Sequence, residues 1–192
     1  VPILDLDQQD LSWFDLVPAG ADQSTRMCAL WSDDERGLRT VLVDFPDGWH
    51  RDATGNQPAQ EEMVALSGAM RVSGLRAGVG ELLVGPPRAT RAETSNEDGT
   101  RVIVWFSGQS GGWSEGPADP PREMRVVDLA PGVVRPAEPG LNGSIEVREE
   151  VAGAVFDVDV DLLWASQQRW VHLAAGEVAP AVPGQVVVKR WA

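Results

Sequence analysis

QPAQEEMVALSGAMRVSGLRAGVGELLVGPPRATRAE, residues 57–93, is the stretch that decides the fold. Short runs of mixed and alternating polarity are split by Gly and Pro at close intervals, as at Gly68, Gly74, Gly80 and Gly85-Pro86-Pro87. That rhythm predicts a small closed β-structure rather than a helix or a parallel sheet. Strands are expected over Glu62–Leu66 and Met70–Val72, joined tightly at Ser67-Gly68-Ala69. A weaker strand is expected over Glu81–Val84 and another over Arg88–Glu93.

Upstream, LRTVLVDF (38–45) reads as a strand with Val41 and Val43 on one face and Leu42 on the other, stopped by Pro46-Asp47-Gly48. TRMCALW (25–31) can form a strand that the acidic turn at 32–37 breaks, and a polar loop runs from His50 to Gln60. Downstream, SNEDG (95–99) is a hairpin turn signalled by Asp-Gly, and 100–106 closes the unit with a β-branched strand. Residues 1–20 fit a short strand or a covering arm. Residues 1–108 are therefore expected to form a barrel with an N-terminal arm, its core at about 25–108. The Gly/Pro-rich segment 109–123 reads as a linker, in which Trp113 points to packing rather than free motion. Residues 124–192 read as further strands, either a partial second lobe or an extension of the first sheet. There Val158, Val160 and Leu162 alternate with Asp157, Asp159 and Asp161, which predicts one buried and one wet face.

With 192 residues the chain can hold one full core, or one core with a smaller lobe. No run of about eighteen apolar residues exists to span a bilayer. The N-terminal VPILDLDQQDLSWFDLV carries acids where a signal peptide carries lysines, so a cytoplasmic location is expected. The net charge of −13 repels phosphate backbones, so neither nucleic acid nor a membrane is an expected partner. A lone Cys28, set among apolar residues, excludes an intrachain disulfide framework and reads as buried and inert. Eight tryptophans without a tyrosine suggest that some rings line a cavity or an interface.

The central stretch resembles the cupin superfamily, and within it the ChrR-like cupins. Glu61 and Gly68 keep the six-residue gap of the family's first motif; Gly80 and Pro86 keep the spacing of its second. The resemblance covers about 25–108 and implies an all-β, cupin-type jelly-roll β-barrel with additional N- and C-terminal strands. Cupins that bind metal do so with three histidines and a glutamate. Here the His-x-His positions fall on Gly55 and Gln57, or in a longer-loop register on His50 and Asp52. Arg91 stands where the last histidine would be. The chain has two histidines in all. What the resemblance implies is thus a barrel whose metal ligands have been replaced; no metal and no cofactor are expected.

If the resemblance holds, Glu61 and Arg91 point into the barrel. They can pair and take over the ion's structural role, or Arg91 can hold a ligand's carboxylate, enolate or phenolate with Glu61 as proton acceptor or hydrogen-bond anchor; the two are compatible, because a pair at a cavity mouth can open for a ligand. His50, at the rim, is either solvated or an acid–base group; His172, two residues from Trp170, is either packed or lines a cavity. Candidate catalytic residues are Glu61, Arg91, His50 and His172. Candidate ligand contacts are Trp49, Gln57, Met63, Met70, Trp105 and Trp170, with Met63 and Ala65 sharing the inward face of Glu61. Glu62 should face out as a plain surface carboxylate.

The sequence therefore predicts a metal-independent cupin acting on a small, largely apolar organic molecule in bacterial secondary metabolism. The step would be a cyclisation, isomerisation or elimination, and a homodimer is expected. The alternatives are a non-catalytic binding or sensing module in the same pocket, and a metal-dependent oxygenase with atypical ligands.

Overall fold

Strands dominate because Gly and Pro cut the chain too often for a helix to propagate, while β-branched and aromatic residues fill the intervals. The computed structural model describes residues 2–8 and 10–192. After β1 (Leu4–Asp5) come β2 (Trp13–Leu16), β3 (Thr25–Asp33) and β4 (Leu38–Asp44). The polar loop holds two short strands, β5 (His50–Arg51) and β6 (Gly55–Asn56). The deciding stretch supplies β7 (Gln60–Ser67), β8 (Ala69–Val72), β9 (Leu75–Gly78) and β10 (Glu81–Gly85). β11 (Thr94–Asn96), β12 (Arg101–Ser107), β13 (Ser114–Glu115) and β14 (Arg125–Asp128) follow. The chain ends with β15 (Gly132–Arg135), β16 (Ser144–Arg148), β17 (Val160–Trp164), β18 (Arg169–Leu173) and β19 (Val186–Arg190).

Two compact units result. One is Ser12–Val127; the other is Asp128–Ala192 together with the N-terminal residues through Leu11. In the first, a seven-stranded sheet has the order β14-β10-β7-β12-β4-β3-β2, and a four-stranded sheet the order β5-β11-β8-β9. A two-stranded ribbon pairs β13 with β6. Val41, Val43, Met63 and Val104 from the larger sheet pack with Met70, Val72 and Ala77 from the smaller one, giving the layered core of a jelly roll. Alternation assigns these faces as the sequence predicts, with Leu42 opposite Val41 and Val43. The second unit has one six-stranded sheet, β1-β18-β17-β19-β16-β15, and a core around Val160, Leu162, Trp164, Val171 and Val188. Among the described residues no helix is long and apolar enough to cross a membrane.

Several boundaries differ from expectation. The N-terminal residues do not all serve as an arm on the barrel: β2 pairs with β3, but Leu4 and Asp5 pair with Trp170 and Arg169. Arg88–Glu93 is not a strand, because Arg88 (φ 64°) and Glu93 (φ 48°) bend the backbone out of the extended region; only Arg91 makes a bridge, to Gly55. Residues 109–123, read as a linker that packs, include a short strand: β13 pairs with β6, and Ala118 N–H donates to Thr90 Oγ1. Asp157, in a bend before β17, is exposed, but Asp161, on β17, is fully buried, with its Oδ1 2.8 Å from His172 Nδ1. Cys28 is buried, and that burial pushes its thiol pKa up.

Gly68 shows why the first motif keeps a glycine. Its φ is +65°, and a Cβ there would lie 2.3 Å from Thr100 Oγ1, whose hydroxyl accepts from Ala69 N–H. Gly68→Ala is expected to lower unfolding stability in urea by about 2 kcal/mol. An unchanged urea midpoint would show that the β7–β8 turn does not need this conformation.

Candidate functional site

On β7 the two-residue period sends Glu61, Met63 and Ala65 to the core face. Glu62 takes the opposite face, yet it is fully buried rather than a surface carboxylate. Its cross-strand neighbours Trp105 and Val84 are equally inaccessible, so this face of β7 is not a solvated one.

Across the core face, Arg91 is brought to Glu61 by its backbone. Its N–H donates to Gly55 O at 2.8 Å and its carbonyl accepts from Gly55 N–H at 3.0 Å. The guanidinium then donates to Glu61 Oε2 from Nε (3.1 Å) and from one terminal nitrogen (2.9 Å), and to Ala89 O from the other (2.9 Å). Gln57 Nε2 donates to the same Oε2 at 3.3 Å. Oε1 accepts no hydrogen bond among the described residues. The pair is well sheltered, with side-chain exposures of 2% for Arg91 and 16% for Glu61. Gly85, opposite Glu61 on β10, leaves the space that Met124 fills: a Cβ there would lie 2.7 Å from Met124 Cε.

These groups border a cavity of about 120 Å³ whose walls are otherwise mostly apolar, including Met27, Val43, Phe45, Leu83 and Met124. Arg51 also lines it. On β5 the alternation turns Arg51 inward and His50 outward. Arg51 donates to Thr94 Oγ1 at 3.1 Å and to Ala19 O at 3.4 Å, and lies over the Trp113 ring at 4.6 Å. Trp113 in turn packs against Gly55, where a Cβ would sit 2.1 Å from Trp113 Cζ2. Desolvation lowers the Arg51 pKa; the Glu61 charge raises it and the Arg91 charge lowers it further.

Of the residues singled out by sequence, Glu61, Arg91, Gln57, Trp49, Met63 and Met70 all border this cavity. Trp49 anchors its indole N–H on Gln23 O at 3.0 Å. Trp105 does not border it, because Val104 and Phe106 on either side do, and alternation turns Trp105 away. His50 is exposed, with Nδ1 3.2 Å from Gly48 O. His172 and Trp170 belong to the other unit, where His172 meets Asp161. Sequence reasoning missed Arg51. The only signal for it was its place one residue after His50, which puts it on the other face of a strand.

The cupin resemblance raises the question of a metal, and the donors do not fit one. At the positions that the resemblance would give to ligands, Gly55 contributes only backbone, Gln57 a neutral amide, and Arg91 a cation that already occupies the carboxylate, while His50 and Asp52 of the longer-loop register are exposed. Among the described residues no group of three or more His, Cys, Asp or Glu converges where an ion could sit.

No family model and no curated protein matches the chain. Solved structures do. A protein from Nostoc punctiforme, named as a candidate dioxygenase, superposes with a TM-score of 0.71 at 10% identity, covering 98% of this chain and 81% of that one. A Pseudomonas aeruginosa protein, named as a candidate glyoxylate-induced protein, gives 0.53 at 14% identity over 91% and 79% of the two chains. Protein Ylba from E. coli gives 0.52 at 13% identity over 98% and 82%. At such identities the likeness speaks to fold alone: the chain is all-β with a cupin-like jelly roll.

Two outcomes are expected here. Arg91→Met strands the Glu61 carboxylate in an apolar wall and should cost about 3 kcal/mol in denaturant unfolding, most of it recovered in the Glu61→Leu/Arg91→Met double variant. A single-variant cost no larger than that of the double would mean the pair is not coupled. Gly55→Ala should expel Trp113 and shift tryptophan emission to the red, a shift absent when the change is made in a Trp113→Phe background.

Proposed function

We propose that the chain acts on a small, largely apolar organic molecule held in the cavity of the Ser12–Val127 unit, without a resident metal. The observation that supports this is the asymmetry of Glu61, which borders the cavity: Oε2 is committed to Arg91 and Gln57, and Oε1 accepts no hydrogen bond among the described residues. A carboxylate fixed in this way can accept a proton in a cyclisation, isomerisation or elimination. The guanidiniums of Arg51 and Arg91 put positive charge beside the site, where negative charge developing on the molecule would be stabilised. The apolar walls select by shape.

A second reading is a binding or sensing module without turnover. It is favoured by the lining itself: among its described residues Glu61 is the only carboxylate, and no histidine is present to return a proton. An oxygenase activity such as the Nostoc punctiforme protein's name suggests would need metal ligands that these positions do not supply. The closer likeness to ChrR-like cupins, a place in bacterial biosynthesis, a homodimer and a cytoplasmic location belong to the same proposal.

The test is to incubate the purified chain with fractionated small-molecule extract and follow it by mass spectrometry. Wild type should convert one component into an isomer, or into a product lighter by one water, and Glu61→Gln should abolish the conversion. A component retained but unchanged would favour the binding module. Conversion unaffected by both Glu61→Gln and Arg91→Ala would remove these residues from the site.

A further inference from the structure

Three charged side chains border the cavity: Arg51, Glu61 and Arg91. Glu61 and Arg91 form an ion pair, which leaves Arg51, on which the Glu61 charge acts only without a direct contact. It is 8% exposed, and no carboxylate lies within ion-pair distance of it among the described residues. Two of its five N–H donors are used, on the neutral acceptors Thr94 Oγ1 and Ala19 O, and its buried Nε–H has no acceptor. The ring of Trp113 beneath it stabilises and orients the guanidinium without neutralising it. Burying an unpaired cation is costly, and a cation kept in that state is suited to a partner that arrives from outside. The setting is selective. In a chain of net charge −13, this one cavity has a local excess of a single positive charge.

We propose that Arg51 recognises the anionic group of the ligand, and that the ligand is a small organic carboxylate on an apolar body. One unbalanced charge matches a monoanion better than a phosphate dianion, and a guanidinium with free donors matches the two oxygens of a carboxylate. A volume of about 120 Å³ approaches that of cavities known to admit one benzene ring, roughly 150 Å³, so the body is a single ring or a short branched chain. The inference rests on the reading of this cavity as the working site, and gives the anion to Arg51 because Arg91 is paired with Glu61.

Calorimetric titration of the full chain with benzoate, and with benzamide as its neutral isostere, tests this. Benzoate should bind, benzamide should bind at least about tenfold more weakly, and Arg51→Met should erase the difference. Should Arg51→Met fail to fold, wild type supplies a second readout: the Arg51 Nε–H resonance should move with benzoate and stay in place with benzamide. Val104→Trp, which fills the cavity, should abolish binding of both probes. Equal affinities that Val104→Trp abolishes would overturn the carboxylate inference and leave the cavity as a ligand site. Benzoate binding that survives in folded Val104→Trp, or no benzoate binding to wild type, would overturn the inference and the cavity reading together.

Discussion

The buried ion pair of Glu61 and Arg91 is the constraint to which the rest of the barrel answers. Each member would be costly alone in an apolar wall, so neither can vary without the other. The pair also couples elements distant in sequence. Glu61 sits on β7 within the larger sheet, and Arg91 lies in a bent segment whose backbone bridges to Gly55 on β6. Gln57, donating to the same oxygen, ties the loop between β6 and β7 to the pair. A cupin-like jelly roll that used an ion at this place would need three donors to converge on a cation; here the cation is a guanidinium, built into the chain.

A second layer follows from the first. Because Arg91 is committed to Glu61, the unbalanced charge of the cavity resides on Arg51, whose position depends on two unusual choices. Gly55 has no side chain, which opens a slot, and Trp113 fills that slot beneath the Arg51 guanidinium. The segment 109–123 is thus part of the site, held by β13–β6 pairing and by Ala118 on Thr90.

Much of the fold was legible because alternation and punctuation are local signals. The inward set Glu61, Met63 and Ala65 followed from the cupin resemblance, whereas the Gly68 turn and the facing valines of β4 could be placed from spacing. Features that depend on what lies opposite could not. Glu62 and Asp161 read as wet because each alternates with apolar residues, yet each lies on a sheet face that is buried. The pairing of β1 with β18 joins opposite ends of the chain, beyond any local pattern. Arg88–Glu93 reads as a strand by composition, but two positive φ angles bend it. In the site, a two-residue strand has no periodicity to read, so His50 drew attention by residue type while Arg51, its neighbour, faces the cavity.

The central claim is that a fixed ion pair, and not a metal ion, holds the Glu61 carboxylate in this cavity. Elemental analysis of the purified chain, prepared without chelator and scanned for iron, manganese, zinc and nickel, tests it most directly. The account predicts transition metal far below one equivalent per chain. One tightly held equivalent would contradict it, because Glu61 would then have to exchange Arg91 for the ion.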